Sequence, residues 1–331
     1  MNKRERLLRT FAGEPTDRTP VAFWRHWPGD DERAADFARV LIDFQKSYDP
    51  DFLRILPAQT WAVADYGLQD AWRGALDGTR HITRHVVERS LDWTNLRTLT
   101  PLRGVVGRQL EALRLVLEGL DDDTPVLMSL PSPFTQAGQV TGFPRLFRHM
   151  RQRPERLRVG LELLTSGTQR IIDEMQRYPL AGICYEMSLA SHEFLSEDEY
   201  QTVAWPFDRA ILDSLPRAWW FNMISFPVNA PMFRLAADAN LPAINWDDQS
   251  GEPDLLTGRS RLYGAACAGL SAQEQLHDGT PATVLNRARA AQQLCGNRRF
   301  ILAPGSPLLL TTPLSNLRAM RQSVEPGGSA A

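Results

Sequence analysis

Lysine is nearly absent from this 331-residue chain. Lys3 and Lys46 are the only two, so 35 of its 37 basic side chains are arginine. A Schiff-base mechanism needs a lysine amine desolvated in a pocket. Neither residue suits it, Lys3 standing at the terminus and Lys46 on the polar side of a helical run. Cysteine is scarce too: Cys184, Cys267 and Cys295 lie far apart and form no CxxC pair. That excludes a disulfide framework and a self-evident zinc site, and the three read as small buried residues. No Gly-rich loop ends in lysine, and neither H-E-x-x-H nor G-x-S-x-G occurs. P-loop, zincin and nucleophile-elbow chemistry are thereby excluded. No apolar run is long enough to span a bilayer. The opening Met1–Arg6 leads into an amphipathic pattern with no signal-peptide stretch behind it, so a cytoplasmic location is expected.

What is present is ordinary globular material, 43% hydrophobic and 23% charged, enough for one large core. With 37 basic against 39 acidic side chains the net charge is -2, and that balance argues against nucleic-acid or membrane-surface partners. From about residue 120, short apolar runs alternate with helical patterns. Strands are expected at 124–130, 181–185, 218–224, 242–246, 261–267 and 299–303. Helices are expected at 144–150, 156–177, 196–215, 229–239 and 281–295. Earlier in the chain, helices at 2–11 and 32–48 flank strands at 20–24 and 52–56. Residues 80–87 alternate charged and β-branched side chains as an exposed hairpin strand does. Regular β–α alternation implies a parallel sheet. At this length, without a dinucleotide fingerprint, a single (β/α)8 TIM-type barrel over 1–325 is favoured. It would carry an N-terminal helical and hairpin elaboration over its mouth and a disordered tail at 326–331.

A parallel barrel builds its site at the carboxyl ends of its strands. The candidates there are Trp24, Arg25 and His26; Arg54, Gln59 and Asp65; Phe134; Tyr185 and Glu186; Asn222; and Asn245 and Asp247. Arg25 with His26 either clamps an anion bidentately or pairs with Asp30 or Asp31. Glu186 follows an apolar strand, where a carboxyl becomes a general acid or pairs with one of the many arginines. Asp247 and Asp248 either form a metal-binding or proton-transferring carboxylate pair, or one caps the next helix and the other is solvated. His81 and His85 lie on the strand-like stretch and read as surface histidines. Trp24, Trp61 and Trp246 end strands and suit the walls of a pocket for a flat ligand.

Several stretches together resemble the uroporphyrinogen decarboxylase superfamily. They are Arg6-Leu-Leu-Arg-Thr-Phe-Ala-Gly-Glu-Pro-Thr-Asp-Arg-Thr-Pro-Val21, Ser132-Pro-Phe-Thr135, Leu195–Tyr200, Gly279-Thr-Pro281, Phe300–Gly305, Thr312-Pro313 and Asn316-Leu317. The resemblance spans nearly the whole chain and implies the barrel. It also implies either of two chemistries, decarboxylation or corrinoid- and thiol-linked methyl transfer. The chain departs from both. Arg25-His26-Trp27-Pro28-Gly29 lacks the second carboxylate-binding arginine, Leu56–Thr60 lacks the family's aspartate, and Gly305-Ser306-Pro307 lacks a histidine. On the methyltransferase side, Ser225 and Pro227 stand where an H-x-C zinc pair is sought, and neither is a zinc ligand.

From this resemblance the leading expectation is a metal-free carboxy-lyase that uses no cofactor and acts on a carboxylate-bearing, tetrapyrrole-like small molecule. Its carboxylates would be held by Arg25 and His26, with proton transfer by Asp65 or Asp247. The alternative is a methyltransferase working with a corrinoid or thiol partner. A third reading is a non-catalytic descendant that binds a tetrapyrrole or a protein. A homodimer is expected by family analogy.

Overall fold

Asn2 accepts from the Glu5 N–H and Gly13 closes the other end in the left-handed conformation, framing helix α1 (Lys3–Ala12). Helix α2 (Ala34–Tyr48) and strand β1 (Leu53–Ile55) follow. Next come the hairpin strands β2 (Gln69–Trp72) and β3 (Arg80–Arg84) and helix α3 (Gly104–Gly119). From there strands and helices alternate. Strand β4 (Val126–Pro131) is followed by α4 (Pro133–Thr141), α5 (Phe143–Gln152) and α6 (Pro154–Met175). Strand β5 (Gly182–Glu186) leads to α7 (Glu197–Val203) and α8 (Trp205–Asp213), then β6 (Met223–Phe226) to α9 (Phe233–Ala239). Strand β7 (Ala243–Trp246) leads to α10 (Leu255–Ser260), β8 (Ala265–Leu270) to α11 (Pro281–Cys295), and β9 (Phe300–Pro304) to α12 (Leu314–Gln322). This computed structural model describes residues 1–296 and 298–325, so the expected tail at 326–331 lies outside the described residues.

Seven strands form one curled parallel sheet in the order β1-β4-β5-β6-β7-β8-β9, an arrangement consistent with a TIM-like barrel. The expected strand at 20–24 is reduced to a single parallel bridge, Val21 to Leu302. Pro20 has no N–H to give a ladder. The segment still bonds to both sheet edges: Ala22 N–H to Leu302 O (3.0 Å), Leu302 N–H to Pro20 O (2.9 Å) and Asp51 N–H to Val21 O (2.8 Å). The expected hairpin forms, β2 antiparallel to β3.

Strand alternation divides the core in two. Outward residues such as Ile183, Ile224 and Ile244 join the large cluster against the helices. Inward ones form a second cluster that includes Ala22, Trp24, Phe52, Cys184, Ala243, Ala265, Cys267 and Ile301. Small alanine and cysteine side chains on β5, β7 and β8 alternate there with the large rings of Trp24 and Phe52. One step further along β1, β4, β5, β6 and β7, the inward positions turn polar: Arg54, Ser129, Glu186, Ser225 and Asn245, all buried.

The opening motif is structural. Arg6 binds Asp17 (2.7 Å) and Asp51 (2.5 Å), and Arg18 binds Asp51 (2.6 Å). Fully buried Asp51 also takes the Val21 N–H at 2.8 Å, pinning the entering chain to β1.

Candidate functional site

The polar inward layer is the floor of a cavity of about 730 Å³ at the carboxyl ends of the strands, large enough for a substantial organic ligand. Arg54 organises the floor. Its Nε donates to Ser129 Oγ (2.9 Å), Nη1 to Ser225 Oγ (3.5 Å) and Nη2 to Glu186 Oε1 (2.6 Å). Below, its guanidinium lies 4.5 Å from the Trp24 ring centroid, a cation–π contact. Ser225 Oγ donates to Asn245 Oδ1 (2.8 Å), and Asn245 Nδ2 donates to the carbonyls of Cys267 and Pro304 at 2.8 and 3.0 Å. Asn245 therefore locks β6, β7, β8 and β9 together beneath the floor.

His26 lines one wall. Burial, helped by the nearby charge of Arg54, lowers its pKa to about 4, so it is neutral at pH 7. Nδ1 lies 3.0 Å from Pro57 O; a carbonyl only accepts, so Nδ1 carries the proton and Nε2 is an acceptor. The hairpin roofs the cavity. Gly78, at φ +79°, lies so close that an added Cβ would come within 2.6 Å of His26 Cβ. Gln59 clamps the roof, its Nε2 donating to Arg80 O (2.6 Å) and its Oε1 accepting the Arg80 N–H (3.0 Å). The Arg80 guanidinium reaches Asp31, Glu32 and Asp70 at 2.5, 3.2 and 3.6 Å.

Four of the expected site residues, His26, Arg54, Gln59 and Glu186, line this cavity together. Trp24 and Asn245 sit beneath it. The others are elsewhere. Arg25 turns outward, 4.3 Å from the Trp27 ring centroid, with Nη1 on Leu310 O (3.3 Å). Asp65 accepts the backbone N–H groups of Val105 and Val106 (2.8 and 2.9 Å) at the start of α3. Phe134 packs edge-on against Tyr200. Tyr185 points into the helix layer and donates to Asp208 Oδ1 (2.7 Å), while Tyr200 donates to Oδ2 (2.8 Å). Burial lifts the Asp208 carboxyl to about 7. Asn222 lies at the amino end of β6, accepting from Ile183 N–H (3.1 Å). Asp247 accepts from Gln249 N–H (3.0 Å). Asp248 accepts from Gly269 N–H (2.8 Å) rather than capping a helix.

Other lining residues come from turns, from the roof and from helix α4: Asp77, Arg80, Ser188, Ser306 and, on α4, Gln139. His81 and His85, read from the sequence as surface residues, also line it, and His85 Nδ1 lies 3.0 Å from Gln139 O. The charged, β-branched alternation located the hairpin without revealing which face covers the mouth.

Zinc does not fit the residues at the β6 end. Ser225 is engaged with Arg54 and Asn245, and Pro227 offers no donor atom. Burial pushes the neighbouring Cys184 thiol up to about 12, far from the thiolate that zinc prefers. Among the described residues no group of three or more His, Cys, Asp or Glu side chains converges as a metal set.

Comparison with known proteins gives the chemistry a different direction from the leading expectation. Two curated relatives, the methylcobamide:CoM methyltransferases MtbA of Methanosarcina acetivorans and Methanosarcina mazei, are 23% and 22% identical to this chain. Each match covers 96% of both proteins. A solved methyltransferase from Methanosarcina mazei superposes with TM-score 0.85 over 98% of each chain at 18% identity. A B12-independent methionine synthase from a Shewanella species superposes with TM-score 0.58 at 11% identity, covering 93% of this chain and 92% of that one. The expectation of a carboxy-lyase acting on a tetrapyrrole is thereby overturned, since the curated relatives are transferases. The cavity agrees: Arg54 and Arg80, the arginines lining it, are both occupied by carboxylates, and Arg25 faces away. The sequence profile of the uroporphyrinogen decarboxylase (URO-D) family matches residues 2–326, and the chain belongs to that family.

Proposed function

We propose that this protein is a methyltransferase whose small substrate occupies the cavity above Arg54 and Glu186. The observation that carries this reading is the full-length match to two methylcobamide:CoM methyltransferases. We take residues 1–325 as one catalytic barrel, with the segment 20–24 as its eighth stave, working in the cytoplasm.

Methyl transfer is an in-line displacement, so the enzyme's task is to align donor and acceptor and to exclude competing water. The cavity suits the smaller reactant. A corrinoid exceeds it and would present its methyl group at the mouth, beside the hairpin. His26, Arg54, Gln59 and Glu186 form the machinery in this reading. Arg54 and Glu186 hold a fixed dipole at the floor, which needs no reorganisation during the reaction. Gln59 and Arg80 hold the roof. No step is routed through zinc.

The test is anaerobic incubation of the protein with methylcobalamin and a thiol acceptor, followed by visible absorbance. Enzyme-dependent loss of the methylcobalamin spectrum is expected. An unchanged spectrum with every acceptor offered would count against the reading.

A further inference from the structure

The relatives' name specifies CoM, a thiol carrying a sulfonate, yet this cavity is ill suited to an anion. Its two lining arginines pair with four carboxylates, Glu186 on Arg54 and Asp31, Glu32 and Asp70 on Arg80, and a further carboxylate, Asp77, stands on the rim. Among the polar atoms of its lining, Glu186 Oε2 and His26 Nε2 are acceptors with no hydrogen bond from the described residues. Glu186 Oε1 takes Arg54, and no hydrogen bond from the described residues reaches Oε2. His26 spends its proton on Pro57 O and offers the lone pair of Nε2. Leu56, Ile82, Phe143, Pro227 and Leu309 supply apolar wall between these groups.

We propose that the substrate bound in this cavity carries a protonated amine, its N–H groups received by Glu186 Oε2 and His26 Nε2. The inference rests on the methyltransferase reading for calling the ligand a substrate, but the binding claim stands on the cavity alone. An ammonium supplies donors to these two acceptors, and the surplus of carboxylates around the lining arginines favours its charge. A sulfonate or carboxylate would meet Glu186 and find no guanidinium free of a carboxylate among the lining arginines. Asp77 strengthens the preference at the rim. Its Oδ1 accepts from the Thr79 backbone and hydroxyl, and its charge is felt at His26.

Three thiols of one skeleton and different charge test this. Anaerobic calorimetric titration of the full chain at pH 7.5 would compare 2-aminoethanethiol, 2-mercaptoethanol and 2-mercaptoethanesulfonate. The aminothiol should bind at least tenfold more tightly than either of the others. Glu186→Gln should remove most of that preference. If that variant unfolds with Arg54 unpaired, Asp77→Asn on the exposed rim should still narrow it about threefold. Equal or tighter binding of the sulfonate, no measurable binding of the aminothiol, or a preference untouched by both variants would overturn the proposal. Methylcobalamin turnover is read separately. Binding of the aminothiol without turnover would count against the methyltransferase reading and leave this inference standing; turnover with only the sulfonate bound would do the reverse.

Discussion

Removing the Glu186 carboxyl would strand a guanidinium in the sheet's interior, since Arg54 is only 3% exposed. Breaking one partner of a buried ion pair costs about 3–5 kcal/mol, whereas replacing both with apolar groups is often near neutral. Glu186→Ala should therefore lower stability by about 3 kcal/mol in urea unfolding, the lower end because Ser129 and Trp24 still hold Arg54. The double variant Arg54→Met/Glu186→Leu should recover most of that loss. His26 and Asp208 give opposite pH signatures. His26 titrates near 4 when folded against an ordinary 6.5. Its contribution is complete above pH 6.5 and is lost as pH falls towards 4, on the order of 3 kcal/mol. Asp208 is raised from 3.8 to about 7, so its contribution is complete at the acid end and is lost as pH rises through 7. In urea unfolding at pH 5 and pH 8, His26→Asn should lose less stability than the wild type on acidification. Asp208→Asn should gain relative to the wild type at pH 8. Parallel curves for a variant and the wild type would show that its group does not titrate as described.

At the level of elements, the residues that carry strand and helix periodicity were legible and those buried on every side were not. The apolar runs at β4, β5 and β7 and the stripe of α6 announced themselves by composition and spacing. Helix α4 did not, because all of its residues are buried and an element buried all round has no polar face to mark its period. Helix α3 was obscured by Gly104, Gly107 and Gly119. Of the site, the floor was partly legible because Glu186 ends an apolar strand and Arg54 interrupts another. The roof was not, since an alternating hairpin does not disclose what it covers. Asp65 also shows this limit: its position after β1 suits a catalytic acid, while its two oxygens serve the first turn of α3. Asp65→Ala should cost about 1 kcal/mol of stability, as loss of a helix cap does, read as a lower midpoint in thermal unfolding. An unchanged midpoint would mean that the contact contributes nothing.

Across the whole molecule, the chain belongs to the family and has a fold consistent with a TIM-like barrel, while the centre of the site lacks the metal ligands and histidine that the sequence resemblance implied. The chain keeps the curled sheet, the pinned opening segment and the cavity at the carboxyl ends of the strands. Ser225, Pro227 and Ser306 stand where the resemblance called for metal ligands and a histidine, and an Arg54–Glu186 pair with its serine and asparagine supports forms the floor. Among the described residues no helix is long and apolar enough to cross a membrane.

The most direct measurement is transfer of a 13C-labelled methyl group from methylcobalamin to 2-aminoethanethiol, followed by NMR in wild type and in Leu309→Trp, which fills the cavity from its wall. The account predicts a labelled S-methyl product with the wild type, and at least tenfold slower formation with the variant at an unchanged melting temperature. Methylcobalamin that keeps its label, or transfer indifferent to the filled cavity, would contradict it.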